Sequence, residues 1–235
     1  MHIGILLCDE MAPALQPDFC GYPDMFSDFF SMSPVPVKMR FYQAFKGELP
    51  DNVDECDAYV TSGGKYSVYE DLPWIRQLED FVLTLYEKRK KFVGICFGHQ
   101  LIARAMGGIV RKADSGWGIG VKPINLSAPL DWMIPFKPQI NLLMSHQDQV
   151  TELTRNVQVL GGSDFCPFGM ICVDNTLLGI QGHPEFTKDY ARALMEMRRD
   201  RIPPSVIDAA EHTLSSHEDG TLVLNWICNF LLDTD

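Results

Sequence analysis

The run Val93-Gly94-Ile95-Cys96-Phe97-Gly98-His99-Gln100 carries two signals at once. Phe92–Ile95 is a short apolar stretch of the kind that forms a strand buried on both faces. From Phe97 the spacing turns helical and continues to Met106, closed by Gly107-Gly108. A strand that gives way at once to a helix presents the residue at the turn as an exposed, reactive tip. Gly94 and Gly98 allow the two backbones to approach there. Cys96 occupies the tip, and the positive end of the helix beside it favours a thiolate. A cysteine is otherwise a small, commonly buried hydrophobe. That plain reading holds for Cys8, Cys20, Cys56, Cys166, Cys172 and Cys228. The G-x-C-x-G-x-Q setting separates Cys96 from them.

Working outward, apolar runs at His2–Cys8, Met39–Ala44, Ala58–Thr61 and Leu177–Ile180 predict further strands. Pro73 opens a helix with Ile75, Leu78, Val82 and Leu85 on one face, Tyr190–Arg201 is a charged amphipathic helix, and Thr221–Leu232 closes the chain after a break at Pro203-Pro204. Residues 109–170 hold strand-like pieces and turns, a β-rich excursion. Asp9–Pro36 is proline-rich and mostly loop, with a short helix on which Tyr22, Phe26, Phe29 and Phe30 share a stripe. Alternating strands and helices predict an α/β fold, a mostly parallel sheet covered on both faces, with ligands at the carboxyl ends of the strands. With no repeat or long linker, residues 1–235 are expected to form one domain, a core over about 1–190 and a helical extension over about 190–235.

Composition narrows the function. Lys and Arg number 20 against 31 Asp and Glu, a net charge of −11. Ten acids and three bases fall in residues 1–60, which predicts a solvated acidic face. A nucleic-acid binder needs a cationic footprint, so no nucleic-acid partner is expected, and no polybasic membrane patch either. The apolar stretches are too short to span a bilayer. Ile3–Leu7 lacks the flanks of a signal peptide. Seven cysteines without paired spacing fit a reducing compartment, so a cytoplasmic protein with free thiols is expected.

A thiolate nucleophile needs a proton-handling partner, and that partner needs an orienter. His183-Pro184-Glu185, at the end of another strand, offers both: His183 to share a proton with Cys96 and Glu185 to fix the imidazole tautomer. Cys96, His99, His183 and Glu185 are also zinc-ligand types, but a strand-to-helix elbow is an unusual mount for a structural metal and no CxxC or HxxxH spacing supports one. Ser62-Gly63-Gly64 ends the strand before the one bearing Cys96. Its amides and that of Phe97 can serve as oxyanion donors.

Gly94-Ile95-Cys96-Phe97-Gly98-His99-Gln100 with His183-Pro184-Glu185 resembles the class I glutamine amidotransferase family over roughly residues 2–190. Ser67-Val68-Tyr69, Gly107-Gly108, Gly116-Trp117-Gly118-Ile119-Gly120 and Ser145-His146-Gln147-Asp148-Gln149-Val150 extend the likeness. The resemblance implies a flavodoxin-like core. It makes Cys96 the nucleophile, His183 the base and Glu185 its orienter, with oxyanion donors at Gly64 and Phe97. It implies a substrate pocket lined by Gly63 and Gln100, with Ser145 and His146 near the substrate's α-amino and carboxylate end. One departure is Lys65, where the family usually has Pro. The pattern is similar to the stand-alone GMP synthase-like subgroup and to γ-glutamyl peptidases, through Asp71-Leu72-Pro73-Trp74-Ile75 and Trp226-Ile227-Cys228-Asn229-Phe230. Only fifty residues follow Glu185, with no phosphate-binding loop of the kind a full GMP synthase carries.

What this implies is a cysteine hydrolase of γ-glutamyl amides working through a γ-glutamyl thioester, with a small-molecule γ-glutamyl substrate and no metal or organic cofactor. Two alternatives stand beside it: a glutaminase subunit that hands ammonia to a separate synthetase, and a catalytically silent binding or regulatory module. The aromatic-rich Phe19–Phe30 and Tyr66–Trp74 are candidates to shape the mouth of the site, with packing the expected job of most of their side chains.

Overall fold

The computed structural model describes residues 1–233. Thr234 and Asp235, the last two positions of the expected 1–235 domain, lie outside the described residues. In chain order the first half runs β1 (His2–Leu6), α1 (Gln16–Phe19), α2 (Tyr22–Ser31), β2 (Lys38–Tyr42), β3 (Ala58–Thr61), α3 (Pro73–Glu87), β4 (Phe92–Ile95) and α4 (Phe97–Ala105). The second half runs β5 (Ile109–Lys112), β6 (Gly118–Leu126), β7 (Gln139–His146), β8 (Asp148–Glu152), β9 (Gln158–Gly162), β10 (Met170–Val173), β11 (Leu177–Ile180), α5 (Lys188–Met197), α6 (Pro204–Thr213) and α7 (Gly220–Leu232).

One nine-stranded sheet has the order β2-β1-β3-β4-β11-β10-β9-β6-β7, and β5 pairs with β8 in a small separate ribbon. From β2 to β11 the neighbours are parallel. From β10 to β7 they are antiparallel. The β-rich excursion read in residues 109–170 therefore extends the same sheet, through β6, β7 and β9.

The central parallel strands β3, β4 and β11 are apolar runs because both faces are covered. Successive side chains on a strand point to opposite faces, and here they enter different cores. Ile3, Ile5, Val60, Val93 and Leu178 pack with α2 and α7. Leu6, Tyr59, Phe92 and Leu177 pack with α3 and α4 on the opposite face. Ile75, Leu78, Val82 and Leu85 of α3 are fully buried. At about 1.5–3 kcal/mol for each such side chain, this stripe fixes which face of the helix turns inward. A third cluster seats α5 and α6 against β6 and β7.

Three local expectations are corrected. Ala44 belongs to a 3₁₀ turn that follows β2. The charged helix α5 stops at Met197, four residues short of Arg201. The Pro203-Pro204 break is itself the start of a helix, α6, whose first position Pro204 occupies. Proline suits that position because the first helical N–H has no intrahelical partner to lose. Among the described residues no helix is long and apolar enough to cross a membrane.

Candidate active site

Strand β4 runs into α4 through a single residue, Cys96, with φ 49° and ψ −91°. A non-glycine residue in that region is strained, and such strain persists only where the surroundings impose it. Here the imposing contacts are close. A Cβ on Gly94 would lie 2.3 Å from the backbone of Gly98, and a Cβ on Gly98 would lie 1.8 Å from Thr61 Oγ1. The helix start is thus pressed directly onto β3 and β4, and only glycine fits at both positions. The Cys96 N–H donates to Ile180 O at 2.8 Å, which ties the elbow to β11. Gln181 Nε2 reaches the Cys96 sulfur at 3.5 Å.

His183 follows β11 by three residues. Its N–H donates to Leu143 O at 2.8 Å in an isolated bridge to β7. Its ring lies flat on Phe186, with centroids 3.8 Å apart and planes 14° from parallel. Nδ1 is 2.8 Å from Glu185 Oε1, and both side chains are buried. The acceptor carboxylate keeps the proton on Nδ1 and leaves Nε2 for Cys96. A Cβ on Gly63 would lie 2.7 Å from His183 Cε1 and 3.6 Å from Cys96 Cβ, so these three residues converge. Burial disfavours the imidazolium, but the Glu185 carboxylate and the Cys96 sulfur outweigh it and raise the His183 pKa well above the usual range. Glu185 Oε2 is buried without a partner.

The Ser62–Lys65 turn is braced against the end of β1. Cys8 N–H donates to Ser62 Oγ at 2.8 Å, and Ser62 Oγ donates to Gly63 O at 2.8 Å. Lys65 N–H donates to Asp9 Oδ2 at 3.1 Å, and Lys65 Nζ to Oδ1 at 2.8 Å. A Cβ on Gly64 would meet Cys8 O at 3.0 Å. A proline at Lys65 would have no N–H to give Asp9, so in this chain the turn is braced through hydrogen bonds from Lys65 to a buried carboxylate.

Gly64, Cys96 and Phe97 line one cleft of about 730 Å³, together with Gln100, Ser145 and His146. Six of the nine sequence-predicted residues therefore share this cleft, whereas His183, Glu185 and Gly63 are buried behind Cys96 and outside the lining. The hydrogen bonding in the cleft is specific. Gln100 Nε2 donates to Asp148 O at 2.9 Å and to Gln181 Oε1 at 3.1 Å, so its amide hydrogens are spent within the protein. Ser145 Oγ accepts from Arg198 at 2.8 Å. His146 Nδ1 donates to Asp148 O at 3.0 Å, and burial lowers its pKa to about 4, so the ring is neutral. Burial likewise lowers His99 to about 3. No cluster of three or more His, Cys, Asp or Glu among the described residues is placed to hold a metal ion.

The two mouth segments fare differently. Tyr66 and Tyr69 line the cleft. Trp74 instead stacks on Phe97 at 5.4 Å between centroids. Phe26, Phe29 and Phe30 are buried in the core with α7, away from the cleft lining. Packing, the job expected of most of these side chains, is what the aromatics of α2 do, and Phe19–Phe30 contributes no residue to the cleft lining. Residues to which the sequence reading gave no role are Asp9, Asp148, Gln181, Phe186 and Arg198. Asp9 and Gln181 directly follow strand ends or their loops, the positions where an α/β sheet presents its ligands.

The family described as Glutamine amidotransferase class-I matches residues 33–197. The chain is similar to γ-glutamyl peptidase 5 of Arabidopsis thaliana, 32% identical over 98% of this chain and 95% of that protein. It is also similar to the glutamine-hydrolyzing GMP synthase subunit of Sulfolobus acidocaldarius, 34% identical over 57% of this chain and 70% of that protein. Among solved structures, a glutamine amidotransferase from Methylobacillus flagellatus superposes with a TM-score of 0.74 at 21% identity, covering 99% of this chain and 92% of the other. The match at that identity speaks for the fold, and the family match with the near full-length relative speaks for descent: the chain belongs to the class I glutamine amidotransferase family.

Proposed function

We propose that this chain is a cysteine hydrolase of γ-glutamyl amide bonds, with Cys96, His183 and Glu185 as its triad. The observation that carries the reading is the convergence of a strained elbow cysteine with a buried His183–Glu185 pair at the carboxyl ends of adjacent parallel strands. The Cys96 thiolate attacks the γ-carbonyl carbon. The oxyanion is held by the N–H groups of Gly64 and Phe97. As the C–N bond breaks, His183 Nε2 gives its proton to the departing nitrogen, leaving a γ-glutamyl thioester. Water then attacks the thioester carbon, His183 takes the water's proton, and the C–S bond breaks to release glutamate. Glu185 keeps the ring in the required tautomer and stabilises its charge. Gln100, Ser145 and His146 line the wall that receives the γ-glutamyl group, and Gly63 backs it from behind, packed against His183.

A second reading is a glutaminase subunit that delivers ammonia to a separate synthetase, favoured by the likeness to the GMP synthase subunit of Sulfolobus acidocaldarius. That likeness spans 57% of this chain, against 98% for the γ-glutamyl peptidase. A silent binding module would have no use for the complete nucleophile, base and orienter. The test is glutamate release from glutamine and from a panel of γ-glutamyl peptides and amines. Higher kcat/KM on a peptide or amine than on glutamine supports the hydrolase. Glutamine preferred throughout, with a sharp rise when a co-purifying synthetase is added, supports the ammonia donor.

A further inference from the structure

The cleft has a charge character unlike the rest of the molecule. The chain carries a net −11, yet the cleft is lined by Lys65, Lys112, Arg198 and Arg201 against Asp114 and Asp148. Three of these six charges are already engaged. Lys65 pairs with Asp9, and Arg201 lies 3.8 Å from its neighbour Asp200. Asp148 accepts hydrogen bonds from Ser67 and Tyr69. Of the other three, Lys112, Asp114 and Arg198, it is Arg198 whose contacts with described residues fix its position. Among the described residues no carboxylate lies within 4 Å of it. Its guanidinium sits 5.7 Å from the centre of the Trp117 ring, and one N–H donates to Ser145 Oγ at 2.8 Å. A guanidinium has five N–H donors in a rigid fork. Trp117 and Ser145 fix that fork while leaving most of its donors without a protein acceptor.

We propose that Arg198 is the anchor of a carboxylate-binding subsite for the substrate, with Ser145 and Trp117 holding it in place. A planar fork whose position is set before binding suits a carboxylate taken in two parallel hydrogen bonds. The subsite rests on the γ-glutamyl hydrolase reading, which supplies the two carboxylates that can occupy it: the α-carboxylate of the glutamyl group, or a terminal carboxylate on the leaving group. The cleft, at about 730 Å³, is large enough for a leaving group well beyond ammonia. Arg198, Arg201, Pro203 and Val206 also lie beyond residue 197, where the family match ends. This wall of the cleft is therefore built by a segment outside the matched region.

The test compares wild type, Arg198→Gln and Arg198→Lys on γ-glutamylglycine, γ-glutamylglycinamide and glutamine. Removing one charged partner of such a contact raises KM by about ten- to hundredfold, and Arg198→Lys recovers part of it. A loss confined to the free acid assigns the leaving group's carboxylate. An equal rise in KM on all three assigns the glutamyl α-carboxylate. KM values within twofold of wild type on all three, or a fall in kcat alone, overturn the subsite. A wild type that cleaves none of the three overturns the hydrolase reading instead. The subsite is then judged by calorimetry of γ-glutamylglycine with Cys96→Ala and with Cys96→Ala/Arg198→Gln. Binding lost in the double variant supports it, and equal affinity or no binding in both overturns it.

Discussion

Replacing Glu185 by Gln changes one atom of a buried pair and removes one charge. Oε1 sits 2.8 Å from His183 Nδ1 while Oε2 has no partner. If the new amide keeps its carbonyl toward Nδ1, its NH2 lands where Oε2 was, a buried donor without an acceptor at a cost of about 1–3 kcal/mol. If the amide turns round, its NH2 faces Nδ1, the proton moves to Nε2, and the ring can no longer receive a proton from that side. Either outcome removes the charge that offsets burial of the imidazolium. Orienting carboxylates of this kind are worth up to about 10⁴ in kcat, roughly 5.5 kcal/mol of transition-state stabilisation. We expect kcat to fall by about 10³- to 10⁴-fold with KM within a few-fold, measured as glutamate released under saturating substrate. The pH profile gives a second readout. Burial alone lowers the His183 pKa, and Glu185 with Cys96 raises it above the usual range. The imidazolium therefore persists through neutral pH in wild type, and activity that depends on it is lost as pH rises into the alkaline range. Without the Glu185 charge, burial dominates and that loss comes at lower pH. A kcat within tenfold of wild type, with an unmoved alkaline limb, would refute the role given to Glu185.

Cys96 should be alkylated first by iodoacetamide near neutral pH, read by peptide mass mapping. Cys96 sits at the strained elbow and lines the cleft, whereas burial raises the thiol pKa of Cys8, Cys56, Cys166, Cys172 and Cys228, and faster labelling at exposed Cys20 would contradict this. Gly98→Ala places a Cβ 1.8 Å from Thr61 Oγ1 and should cost at least about 2 kcal/mol in urea unfolding, partly recovered by adding Thr61→Ala; unchanged stability would show that the elbow is not tightly seated. Asp9→Ala strips the acceptor from Lys65 N–H and should lower kcat by about tenfold with a smaller change in KM, because it loosens the turn that carries Gly64. Lys65→Ala keeps that backbone bond and should cost less, so equal losses would assign the effect to the ion pair instead.

Much of this was legible in the sequence for a physical reason. β3, β4 and β11 are buried along their whole length, so each reads as an unbroken apolar run with an abrupt end, and the chemistry sits at those ends. Cys96, Gly64 and His183 are all such residues. The aromatic stripe of α2 was legible as a stripe, but periodicity says only that one face is covered, not by what. Phe26, Phe29 and Phe30 meet the α7 core rather than the cleft. Arg198 was beyond reach of spacing, because its place is set by the packing of α5 against β7, contacts between residues some fifty positions apart. Asp9 was closer to hand: it follows the carboxyl end of β1, and the rule that marked Gly64 and Cys96 marks it too.

The central claim is that Cys96 carries the γ-glutamyl group. Its most direct test is to mix the protein with a γ-glutamyl peptide, quench with acid within the first turnover, and map the peptides by mass. The expected result is the mass of one γ-glutamyl group on the Cys96 peptide, released by hydroxylamine and absent from Cys96→Ala. An adduct on any other residue, or glutamate release that continues in Cys96→Ala, would contradict the assignment.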